Sequence, residues 1–187
     1  MRMTLLIVAS IVAILAGLLA AANYRWRGGT SAALDRLLKS SAAPPPAVFS
    51  EAELQDLPTP VARYFRAVLT PGQPMVRYAR LSQRGSFLTR APDGWQPFVA
   101  TEHFVTRPGG FLWDARIRMA PGVSVRVRDS FIEGTGSMLG AVAGVFPVIR
   151  VEGTPDIAAG ALHRYLAELA WLPTALLPSP STLWPWR

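Results

Sequence analysis

The chain has no cysteine among its 187 residues. That absence excludes an acylated lipoprotein terminus and removes thiolates from any metal site. Histidine is almost as scarce: His103 and His163 lie far apart and make no metal-ligand spacing. No G-x-S-x-G is present to place a serine nucleophile at a strand-to-helix elbow. The glycines of GTGSMLGAVAG (134–144) lack the Lys-Ser or Lys-Thr of a phosphate loop and open no long helix as a dinucleotide fingerprint would. They read as places where the chain bends. No metal, no cofactor and no catalytic signature is implied.

The charge balance leans to one sign, and the positive charge is of one chemistry. The net charge is +7 and the pI about 11, carried by arginines spread along the chain with Lys39 the lysine among them. No basic helix, aromatic-interleaved cluster or zinc spacing accompanies it, so nucleic acid is not expected as a partner. Anionic headgroups are a simpler use, at about 1 kcal/mol per basic residue near a membrane surface.

A long apolar run supplies that membrane. Met3 to Ala22 is uncharged. About twenty residues at roughly 1.5 Å each match a bilayer's hydrocarbon thickness, where a secretory h-region needs only about 7 to 15. A single-pass, uncleaved N-terminal anchor over residues 1–27 is expected, with the lipid bilayer as partner. The alternative is a signal peptide cut after Ala20-Ala21-Ala22. Arg25, Arg27, Arg36 and Lys39 after the span outweigh Arg2 before it, which by the positive-inside rule puts the domain in the cytoplasm. Tyr24 and Trp26 suit an interface but give no direction, and the side of the membrane stays open.

Residues 28–47, GGTSAALDRLLKSSAAPPPA, are small and polar and read as a tether. The domain then runs over 48–178, and 179–187 form an irregular Pro/Trp tail. Ser50 and Glu53 suggest a capping box, and Thr59-Pro60 the cap of a second helix whose Val61, Tyr64, Phe65 and Val68 share a side. From Met75 the period becomes two, predicting antiparallel strands near 75–89, 97–106, 111–119, 123–133 and 145–152. Asp156 caps a helix from 157 to about 172, with Tyr165, Leu166, Leu169 and Leu172 facing the sheet and Arg164 pairing with Glu168. The class is α+β: an N-terminal transmembrane helix, then a curved antiparallel sheet, an incomplete half-barrel, covered by helices.

Turn chemistry sets registers. A loop at Arg107-Pro108-Gly109-Gly110 places Phe104 opposite Trp113 and His103 opposite Asp114. The next loop must be odd to keep apolar residues on one face, which opposes Asp114 with Arg128 and puts Gly122 in the left-handed bulge position. One face then carries the polar row His103, Asp114 and Arg128, with Thr101, Arg116 and Arg126 beside it. That row reads as an exposed charge ladder, or as an Asp-oriented histidine base near an arginine. The other face carries Phe98, Ala100, Phe104, Trp113 and Ile117, interrupted by Glu102, Asp129 and Glu133. Carboxylates there need a donor such as Arg164, or a proton.

The segments LPTPVARYFRAVL, RGSF, WQPFVATEHF, FLWDARIRMAPGVSVRVRDSF, GTGSM and RYLAELAWLPTALLP together resemble an uncharacterised family of bacterial membrane-associated proteins over about residues 50–178. The element order is also similar to the half-barrels of lipoprotein carriers and envelope lipoproteins that bind lipid. The first resemblance implies further strands past the last helix, so this chain, ending SPSTLWPWR, looks truncated, with an open edge for self-association. The expected function is a membrane-tethered, non-enzymatic domain that holds a lipophilic ligand on its concave face through Glu102, Phe104, Trp113, Asp129, Tyr165 and Trp171. Two alternatives are an acid/base hydrolase or isomerase using Glu102 and Asp129, and a purely structural envelope protein.

Overall fold

The computed structural model describes residues 1–41 and 48–178. A helix, α1, runs unbroken over Arg2–Ser40 and is followed by a 3-10 turn at Glu51–Leu54 and a second helix, α2, over Thr59–Val68. Six strands follow: β1 (Tyr78–Leu88), β2 (Trp95–Thr106), β3 (Gly109–Ala120), β4 (Val123–Ile132), β5 (Thr135–Val142) and β6 (Phe146–Glu152). They pair antiparallel in chain order, leaving β1 and β6 as edges of an open sheet. Helix α3 (Pro155–Glu168) and two 3-10 turns complete the described chain. The protein is α+β with an unclosed sheet.

α3 begins where Thr154, and not Asp156, accepts the Ile157 amide at 3.3 Å; Asp156 instead sits in the first turn, where the helix dipole favours a negative charge. The helix ends at Glu168, and Leu169–Trp171 continue it as a 3-10 turn. Tyr165 and Leu169 are buried against the sheet, with Leu166 and Leu172 partly buried beside them. On α2 the buried side is rotated from the expected one: Ala62 and Phe65 face inward, while Tyr64 and Val68 are exposed. They meet Phe49, Leu54 and Leu69 in a separate small core.

The β3–β4 register is as the odd loop requires: Asp114 lies opposite Arg128, a bulge falls at Arg118–Ala120, and Gly122 has φ +73°. The β2–β3 register differs by two residues, pairing Phe104 with Phe111 and Thr101 with Asp114. The turn consists of Arg107 and Pro108 alone, because Gly109 and Gly110 belong to β3. Their missing side chains serve packing: a Cβ on Gly109 would lie 2.6 Å from the Tyr165 ring, and one on Gly110 2.7 Å from the Phe131 carbonyl. A slip of two preserves which face each side chain takes.

β5 is a strand where bends were expected. Its glycines permit close approach, since a Cβ on Gly136 would sit 2.5 Å from the Ile157 carbonyl of α3. Glu133 is not on the apolar face. It forms the β4–β5 turn with Gly134, at φ 52° and 77°, and is exposed.

The largest departure is α1. Residues 28–40 are helix and not tether, and the helix tail docks on the sheet face opposite α3. Trp26, Thr30, Ala33 and Leu37 make the contact stripe at helical spacing, and Ala33 and Leu37 are buried with Val105, Leu112 and Ile132. Residues 42–47 of the expected tether and the tail 179–187 lie outside the described residues.

Candidate functional site

The expected ligand face is where α3 packs. Glu102 and Phe104 are fully buried, and Trp113, Asp129 and Tyr165 nearly so, whereas Trp171 is 54 % exposed and stands apart from them. Strand pairing sets Glu102 opposite Trp113 and Trp113 opposite Asp129, so both carboxylates flank one indole beneath α3.

Arg164 reaches down from α3 between them. Its Nη2 donates to Glu102 Oε1 at 2.9 Å, its Nη1 to Asp129 Oδ2 at 2.7 Å, and its Nε to Glu168 Oε1 at 3.1 Å. The guanidinium also lies 4.9 Å from the ring centroids of both Phe111 and Trp113. Gln83 of β1 closes the network, donating to Glu102 Oε2 at 2.6 Å and accepting the Trp113 indole N–H at 2.7 Å. Three carboxylates thus share one cation. Burial outweighs the attraction of Arg164 and, with Glu168 adding repulsion, lifts the Glu102 carboxyl to about 8. Burial also raises Asp129, against the pull of Arg164. Glu168 Oε2 is buried without a hydrogen-bond partner among the described residues. Arg164 as a donor to the carboxylates and its i, i+4 pairing with Glu168 were legible in the sequence; Gln83 as a member of the cluster was not, because the β1 register decides it.

The polar face has a different task from either one expected. His103 pairs across to Leu112, and its Nδ1 lies 2.7 Å from the Tyr78 hydroxyl rather than on Asp114. Burial lowers the His103 pKa, helped by Arg80 and opposed by Asp114. Asp114 accepts the Trp26 indole N–H and the Thr30 hydroxyl, each at 2.9 Å. Arg128 donates to the Trp26 carbonyl at 2.6 Å, contacts Thr30 Oγ1 at 2.8 Å, and lies 4.7 Å from the Trp26 ring. It is a socket for α1: Arg128 and His103 are buried and Arg126 is half-buried, while Arg116 beside them stays exposed.

Beside that socket, α1 and the β5–β6 hairpin enclose an open cleft of about 530 Å³. Leu18, Ala22, Val145 and Pro147 line its apolar part, and Arg25, Arg128 and Arg150 its polar part. The volume lies in the range of small-molecule sites. Nothing in residue type marked it beforehand, since about a third of its lining residues come from a helix expected to stand free of the domain.

The architecture is that of an α+β protein with an open antiparallel sheet and a helix, Arg2–Ser40, whose first half is long and apolar enough to cross a membrane. The chain belongs to a family of unknown function, DUF6544, whose model matches residues 47–185. No curated protein and no solved structure matches the chain.

Proposed function

We propose that the protein is a membrane-tethered binding domain for a lipophilic anion, held in the cleft between α1 and the β5–β6 hairpin. One observation carries this reading: apolar residues of the spanning segment and three arginines line the same cavity. An acyl chain would lie along Leu18 and Ala22, with its acidic head toward Arg25 and Arg150. The concave face is a poorer candidate than its composition suggested, because α3 and the Arg164 network occupy it. The same burial disfavours acid/base chemistry at Glu102 and Asp129, since both lie buried beneath α3 and paired with Arg164. The edge strand β6, exposed along its length, offers a route to self-association through its unpaired backbone.

Native mass spectrometry of the full chain in mild detergent tests the proposal. A co-purifying anionic lipid is expected, lost in Ala21→Trp, which fills the cleft, and weakened in Arg25→Ala/Arg150→Ala. An adduct that survives both changes places the ligand elsewhere. Absence of any adduct from the unaltered chain favours a scaffold.

A further inference from the structure

We infer that the hairpin tips at one end of the sheet form a second membrane contact, a rim that inserts at the interface of an anionic bilayer. The inference rests on reading α1 as a span and goes beyond the ligand cleft.

The chain direction fixes which end this is. Because the six strands alternate in direction, the β1–β2, β3–β4 and β5–β6 turns share one end, and the turns at Arg107–Pro108 and Glu133–Gly134 share the other. α1 is held at three heights. Leu37 packs with Val105, Leu112 and Ile132 near the second end, and Trp26 and Thr30 meet Asp114 midway. Asn23 accepts from Arg126, and the Ala22 carbonyl lies about a Cβ contact from Gly144 in the β5–β6 turn. The apolar segment before Ala22 therefore leaves the domain beside the three tips.

Those tips carry what an interface takes up. Leu88, Trp95, Met119, Val123, Val145 and Phe146 are all exposed, Trp95 at 58 % and Phe146 at 68 %. Arg90 and Arg118 are exposed among them, and Arg25 on the helix stands at the same level. The opposite turns present the half-buried Arg107 with Pro108, Glu133 and Gly134, and no large apolar side chain among those four. A large apolar side chain held out to solvent with arginines around it matches the acyl boundary and anionic headgroups of a bilayer, and the span brings that surface to it. The docked helix tail leaves too little free chain at Ala22 for the domain to stand away from the membrane.

The absence of native cysteine makes the test clean. Single substitutions Trp95→Cys, Phe146→Cys, Glu133→Cys and Leu15→Cys in the full chain take an environment-sensitive fluorophore, in vesicles of phosphatidylethanolamine and phosphatidylglycerol. Labels at 95 and 146 are expected to shift blue and to be quenched by shallow spin-labelled lipid, while the label at 133 stays accessible to aqueous iodide. The shifts at 95 and 146 shrink in vesicles of phosphatidylcholine alone. Iodide-accessible labels at 95 and 146 beside a protected label at 15 would overturn the rim and leave the span intact. An iodide-accessible label at 15 overturns both.

Discussion

The Asp114 carboxylate accepts the Trp26 indole N–H at 2.9 Å, linking a strand in the middle of the sheet to a helix 88 residues earlier. The second Asp114 oxygen accepts from Thr30, and Arg128 closes the contact from the next strand. Asp114 therefore anchors the middle of the docked helix, between the Arg126–Asn23 contact and the packing of Leu37. Asp114→Ala is expected to cost about 2 kcal/mol, the scale of lost hydrogen bonds to a charged group. Amide exchange over residues 26–37 should rise while α3 stays protected. Unchanged exchange in that segment would show that Ala33 and Leu37 suffice.

Arg164 holds three carboxylates, so removing it strands buried negative charge. Arg164→Met should cost about 3 to 5 kcal/mol at pH 8. The loss should be smaller at pH 5, where Glu102 relieves it by holding a proton. Denaturant melts at the two pH values give the comparison, and an equal loss at both contradicts the shared-charge account.

Glu102 titrates at about 8 in the folded protein, against 4.5 without the fold's influence. Between those values the folded state binds the extra proton. This group's contribution to stability is therefore full below about pH 4.5 and is lost as the pH rises through about 8. Glu102→Gln mimics the protonated carboxyl, so its melting temperature should gain on the unaltered protein as the pH is raised from 5 to 9. A gap that is constant across the window would mean that Glu102 is ionised throughout.

Gly136 lets α3 start against β5, where a Cβ would meet the Ile157 carbonyl at 2.5 Å. Gly136→Ala should cost about 1 to 3 kcal/mol as overpacking. Gly28→Ala, in an exposed turn of α1 with no atom within 4 Å of the added Cβ, should instead gain up to about 1 kcal/mol from helix propensity. Thermal melts of the pair separate the two roles of glycine.

Faces were easier to read than contacts. Alternation in FLWDARIRM and VSVRVRDSF puts each side chain on its face whatever the register, and Asp114 opposite Arg128 followed from loop parity. The β2–β3 slip arose because Pro108-Gly109-Gly110 looks like turn chemistry, although Gly109 and Gly110 are small to admit Tyr165 and Phe131. β5 was hidden for the same reason: glycine spared for packing is indistinguishable in sequence from glycine used to bend. The helix tail did leave a signal in Trp26, Thr30, Ala33 and Leu37, spaced four, three and four. Its diglycine and serines outweighed that stripe, because nothing local reveals that Asp114 and Arg128 await it from the distant sheet. Among the site residues, Glu102, Phe104, Trp113, Asp129 and Tyr165 do come together, but as an internal seam, with Trp171 outside it.

α1 is a single helix from Arg2 to Ser40, pinned to the sheet over its second half. At about 1.5 Å per residue it forms a rod close to 60 Å long with no joint between its apolar and docked halves. The domain is thus mounted like a blade on a shaft, and turning or tilting the shaft must turn or tilt the sheet by the same angle. On the proposed span, a change of bilayer thickness that tilts the shaft re-aims the β5–β6 cleft and the hairpin tips together, as one body and without any hinge in the chain.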